Sequence, residues 1–144
     1  MADILEPAVR SYIMSQIKSK DTKPEMTVRR FLFANGFRFR THDKKLPGKP
    51  DLVLKKYNTV VFVHGCFWHG HENCKHFKMP KSRREYWVPK IENNIARDRN
   101  NIQEVLSLGW NIIVIWECEL TKVKLERTLQ ELLKKLIKAK RVQK

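Results

Sequence analysis

Four side chains stand at a spacing that suits a metal ion: Cys66, His71, Cys74 and, far downstream, Cys118. Thiolates and imidazoles are the ligands Zn²⁺ prefers, and three Cys with one His close a tetrahedral site with no open position. Zinc held that way is structural. His69 and His76 also lie within reach of the nitrogen position, and the two-residue gap between His71 and Cys74 favours His71. The plainer alternative is three unrelated cysteines, which cannot all pair among themselves.

Other residues carry a second chemistry. Asp51 follows Pro50 at the start of one expected strand, and His64 ends the next. In a hairpin those ends lie side by side, which sets a carboxylate and an imidazole at one sheet edge as a Mg²⁺ and acid/base corner. The alternative is an ordinary Pro-Asp turn. Asp98 falls inside the apolar stripe of Ile91, Ile95, Ile102 and Val105, where a lone carboxylate is costly unless paired. An Asp there can fix the tautomer of a histidine; at the stripe's edge it would instead bond Arg97, Arg99 or water. Glu25 shares the Val28/Leu32 face of its helix, yet Thr22-Lys-Pro-Glu25 is also a capping box. Both roles stay open. Phe67, Trp68 and Trp87 sit among Lys78, Lys81, Arg83 and Arg84. They suit stacking or wedging against bases if exposed, or a small core beneath the metal loop if not.

The elements that must position these residues follow from periodicity. The spacing predicts a basic helical arm over Pro7 to Ser19 with a thin stripe of Val9, Ile13 and Ile17, and a helix from Lys23 to Asn35 stopped by Gly36. It predicts a half-buried strand over Phe37 to Thr41 and a hairpin of Asp51–Leu54 with Thr59–Val63. His64 to Val88 has little periodicity, as metal-held functional segments often do. Pro89 is expected to open a helix ending before Gly109, followed by a buried strand from Trp110 to Trp116. Leu125, Leu129, Leu132, Leu133 and Leu136 mark a last amphipathic helix with a basic end. The order α-α-β-β-β-α-β-α predicts an α/β fold, a mixed central sheet flanked by helices. The expected organisation is a single domain over 1–144, with an arm at 1–20 and a basic C-terminal helix at 122–144.

Charge narrows the partner. Thirty Lys plus Arg against 15 Asp plus Glu give a net +15 in 144 residues, which calls for an anionic partner: nucleic acid first, an anionic membrane surface second. With 42% hydrophobic and 10% aromatic residues the chain can fold, which excludes a disordered basic tail. No secretory pattern opens the sequence, and Val60–Val63 and Ile112–Trp116 are far too short to span a bilayer. The expectation is a soluble, cytoplasmic monomer.

His64-Gly-Cys-Phe-Trp-His69, Trp116-Glu-Cys118, Pro47-Gly-Lys-Pro-Asp51 and Asn94-Ile-Ala-Arg-Asp98-Arg closely resemble the very short patch repair endonuclease (Vsr) family, over roughly residues 6 to 120. The resemblance implies a zinc-containing, Mg²⁺-dependent enzyme that nicks 5′ of the thymine in T:G mispairs left by 5-methylcytosine deamination. It also implies a variant of the PD-(D/E)xK core and double-stranded DNA as partner, with mismatch-repair proteins as further candidates. Carried over by position, Asp51, His64, His69, Asp98 and Glu25 become catalytic. Asp51 with the Val63 carbonyl takes Mg²⁺; Cys66, His71, Cys74 and Cys118 take Zn²⁺; Met14, Ile17, Phe67, Trp68 and Trp87 contact DNA. Val63 stands where better-known relatives have Thr, Gly70 replaces a histidine, and the gap from His71 to Cys74 is one residue longer.

Overall fold

The computed structural model describes residues 21–142, so the expected arm, with Met14 and Ile17, lies outside the described residues. Helix α1 (Lys23–Ala34) starts where Thr22 Oγ1 accepts the Glu25 amide and ends before Gly36, whose φ of +87° few other residues adopt. Strand β1 (Arg40–Thr41) is much shorter than expected. Phe37 leaves the expected strand to pack its ring 5.1 Å from that of Tyr57. Strands β2 (Leu52–Leu54) and β3 (Thr59–His64) form the predicted hairpin around a single 3₁₀ turn at Lys55–Tyr57. Helix α2 (Arg84–Ser107) crosses to β4 (Asn111–Trp116), which runs parallel to β3. A 3₁₀ turn (Glu117–Leu120) leads into helix α3 (Leu125–Val142).

The sheet order is β1-β2-β3-β4, antiparallel except for the last pair. It is a mixed sheet between helices, as the element order predicts. One face packs Leu52, Leu54, Val61, Val63, Ile113 and Ile115 against Val28 and Leu32 of α1 and Leu132 and Leu136 of α3. The other packs Val53, Val60 and Phe62 against Val105 of α2.

Two further expectations change. Helix α2 starts at Arg84, so Pro89 sits inside it, where its ring removes a helical hydrogen bond. Trp87 and Ile91, one turn apart and both buried, tie the early turn down and outweigh that loss. Strand β4 is an edge strand, with Ile113 and Ile115 buried while Ile112 and Val114 are half-buried, rather than a continuously buried one.

Candidate active site and metal centre

The register that pairs β3 with β4 sets His64 beside Trp116 at the ends of two parallel strands. Open α/β sheets gather functional groups at such carboxyl ends. Two residues beyond each strand end stand Cys66 and Cys118. His71 and Cys74 join them, and one ligand atom from each of the four lies within 4.8 Å of all the others. The donor set fits zinc. A tetrahedron with Zn–S bonds of about 2.3 Å has edges of roughly 3.5–3.8 Å, and Cys118 Sγ lies 3.5 Å from His71 Nδ1. Burial pushes the Cys66 thiol up to about 12, so this fully buried sulfur needs a cation to become a thiolate. The His71 amide donates to the Cys66 carbonyl at 3.0 Å, and the Cys66 amide lies 3.4 Å from Glu117 Oε1, which fixes both ends of the loop.

Beside it, His69 Nδ1 meets Asp98 Oδ2 at 2.5 Å. The carboxylate in the apolar stripe of α2 therefore has a histidine partner rather than Arg97 or Arg99. The His69 and His64 rings stack in parallel, 3.9 Å apart with an interplanar angle of 4°. His64 is 6% exposed, and burial followed by the nearby His69 lowers its pKa to about 4, so it stays neutral.

Asp51 lies across the hairpin, where its Oδ2 accepts the Val63 amide at 2.7 Å. Burial raises its carboxyl to about 7, and the neighbouring Glu25 carboxylate adds to the shift against the Val63 hydrogen bond. Two carboxylates facing one another in a buried corner favour a divalent cation. Glu25 is 1% exposed and takes the capping role. Its Oε1 accepts the Asp21 amide at 3.1 Å, a cap displaced by one residue from the expected Thr22 amide. Its Oε2 lies 2.8 Å from His42 Nε2 and 3.3 Å from Arg29 Nη1. His42, whose Nδ1 is 3.9 Å from Asp51 Oδ1, is a site residue that sequence reasoning missed. A single histidine in a basic loop gives no spacing signal.

A cleft of about 910 Å³ connects these groups, lined by Glu25, Asp51, Val63, His69 and Asp98 and rimmed by Lys49, Lys90 and Arg97. Phe67 and Trp68 also line it, both half-buried. Of the two readings for the aromatics, Trp87 takes the small core: it is buried behind them, its ring 5.4 Å from Phe67 and 5.8 Å from Trp68. Asn94 Nδ2 donates to the Trp68 carbonyl at 3.0 Å and anchors the aromatic loop to α2. Gly70 has φ +57°, and a Cβ there would sit 2.6 Å from Ile95 Cδ1, so a side chain at 70 requires Ile95 to move and a left-handed backbone to be tolerated.

Residues 2–76 match the family model described as DNA mismatch endonuclease Vsr. The chain belongs to the Vsr endonuclease family. A type II nicking enzyme of Neisseria meningitidis is 52% identical over 120 residues, 83% of this chain and 85% of the relative. A second type II nicking enzyme, from Xanthomonas oryzae, is 48% identical over 134 residues, 92% and 98% of the two chains. The DNA mismatch endonuclease Vsr of Escherichia coli is 44% identical over 120 residues, 83% and 76%. As a Vsr-family chain the protein is an endonuclease, and nucleases of this family act on DNA. Among the described residues no helix is long and apolar enough to cross a membrane.

Proposed function

We propose that this chain is a Mg²⁺-dependent, strand-specific endonuclease of very short patch repair, which nicks 5′ of the thymine in T:G mispairs arising from 5-methylcytosine deamination. The observation that carries the reading is one cleft holding Asp51, against the Val63 amide, and His69, paired with Asp98. The sheet supports a variant of the PD-(D/E)xK core: an aspartate opens β2, while Phe62-Val-His64 stands where the superfamily carries Glu-x-Lys.

Mg²⁺, held by Asp51 and the Val63 carbonyl, would polarise the scissile phosphate and acidify the attacking water. With the His69 Nδ1–H hydrogen-bonded to the Asp98 carboxylate, the Nε2 lone pair is left to take a proton from that water. Neutral His64 offers an N–H to the charge that builds on the phosphoryl oxygens or the leaving oxygen. Glu25 holds its place through Asp21 and faces Asp51 across the corner. Zinc in the Cys66–His71–Cys74–Cys118 site is structural and fastens the aromatic loop to the strand ends. Phe67 and Trp68, backed by Trp87, wedge into the stack, and a T:G pair opens at lower cost than a matched one. Met14 and Ile17 of the N-terminal arm meet the other groove. The protein works as a cytoplasmic monomer, alone or with mismatch-repair proteins.

A second reading, a nuclease of the same chemistry attached to restriction, is favoured by the two relatives named as type II nicking enzymes. A nicking assay with Mg²⁺ on T:G, A:C and matched duplexes separates these. The repair reading expects one nick, on the thymine strand of the T:G duplex only. Cleavage of matched duplex, or of both strands, overturns it.

A further inference from the structure

The His64 ring lacks the usual anchor. Its Nδ1 is buried without a hydrogen-bond partner among the described residues, so neighbouring rings, rather than hydrogen bonds at that nitrogen, set its orientation. One of those rings is Trp116. The two rings meet nearly at right angles, their centroids 5.1 Å apart at 76°, and Trp116 lies 6.5 Å from His69 at 77°. Trp116 also stacks flat on His71, 3.9 Å away at 4°. His71 is one of the four clustered metal-binding side chains. Trp116 thus stands between the metal centre and the histidine pair, and the β3–β4 register that sets it opposite His64 also carries Cys66 and Cys118 just beyond.

We propose that Trp116 is a positioning residue: it transmits the placement of His71 by the bound metal to the stacked His64–His69 pair, so that metal occupancy governs catalytic geometry as well as stability. Stacked and edge-on rings transmit displacement because close-packed interiors leave no slack between neighbours. The proposal rests on the nuclease reading of the histidine pair. Its test therefore includes a signal that does not depend on nicking.

The experiment uses the full chain with zinc bound. Trp116→Leu should keep its zinc and its duplex affinity within a few fold, while kcat falls ~10–100-fold, the scale on which activity falls when a group that orients a metal-ligating side chain is lost. Trp116→Phe, which keeps a flat ring, should recover most of that loss. Imidazole proton resonances of His64 and His69 at fixed pH give the independent signal. They should move in wild type when Cd²⁺, with longer bonds to the same four ligands, replaces zinc, and that metal-dependent displacement should largely vanish in Trp116→Leu. Resonances that do not respond to the metal exchange in wild type, an equal response in Trp116→Leu, or a chain that binds no metal overturns the coupling whether or not the enzyme nicks. Absence of nicking by wild type overturns the nuclease reading instead. If Trp116→Leu does not fold, Trp116→Met takes its place. Failure of both to fold, with Trp116→Phe fully active, assigns Trp116 to the fold and overturns the proposal.

Discussion

An imidazole tethered at one nitrogen has one nitrogen left to work with, and at His69 that is Nε2, because Nδ1 is held by Asp98 at 2.5 Å. Asp98→Asn keeps the shape but lets the amide present either face, so the tautomer is no longer fixed. Its nicking rate is expected to fall ~10–100-fold, less than for Asp51→Ala or His69→Ala, which should abolish nicking and leave mismatch binding within a few fold. Single-turnover rates and binding isotherms on one duplex check this; near-normal turnover in Asp51→Ala or His69→Ala would remove its assigned role. Asp51 also makes a stability prediction. Burial pushes its carboxyl from the ordinary value of 3.8 up to about 7 in the folded chain. Between those values the folded protein keeps a proton that the unfolded chain has released. Stability therefore declines as pH rises through the window, and the cost is complete above about 7. Asp51→Asn removes it: at pH 8 without Mg²⁺ the variant should melt roughly 4 °C or more above wild type, about 1 kcal/mol in a chain of this size. The gap should nearly close towards pH 4. Equal melting temperatures at both pH values would show that Asp51 is not buried as described.

At the scale of elements, legibility followed the range of the interactions involved. The end of α1 at Gly36 and the β2–β3 hairpin rest on local signals, a residue tolerant of positive φ and alternating apolar runs, and both stand where the sequence puts them. The start of α2 rests on Trp87 meeting Phe67 and Trp68, a contact between distant segments that periodicity does not register. The short β1 has the same cause, since Phe37 leaves the strand for Tyr57. Within the site, the Cys/His cluster was visible because ligand spacing is itself a signal, and Asp98 because a carboxylate interrupts an apolar stripe; that His69 is its partner depends on the fold. His42 was invisible because its partners, Glu25 and Asp51, reach it only through the fold. The metal loop makes two predictions. Cys118→Ser should lose both zinc and thermal stability, whereas unchanged metal content by elemental analysis would remove Cys118 from the site. Gly70→Ala drives a methyl into Ile95 from a left-handed backbone. It should cost ~1–3 kcal/mol of stability, read by thermal melts, and an unchanged melt would mean that the loop packs elsewhere.

Over the whole molecule, affinity and selectivity have different physical origins, and a salt series can separate them. A charge of +15 predicts strong binding to any duplex at low salt, mostly through release of counterions. Each phosphate neutralised contributes about −0.9 to the slope of log affinity against log salt. Removing a rim cation, Lys49, Lys90 or Arg97, should flatten that slope by about one unit at most and do so almost equally for matched and T:G duplexes. Trp68 carries no charge and lines the same cleft. As a wedge it acts only where the stack opens, so Trp68→Ala should cost roughly 1–3 kcal/mol on T:G duplex, the scale of one base–aromatic stack. Its salt slope should not change, and matched-duplex binding should hardly move. Trp87→Ala gives the contrast: a buried ring behind the loop should lower thermal stability as well as T:G affinity. Titrating both duplexes across salt for wild type and Trp68→Ala decides between the roles. Equal losses on the two duplexes would assign Trp68 to the packing it shares with Phe67 and Trp87, and selectivity would then have to arise from another part of the chain.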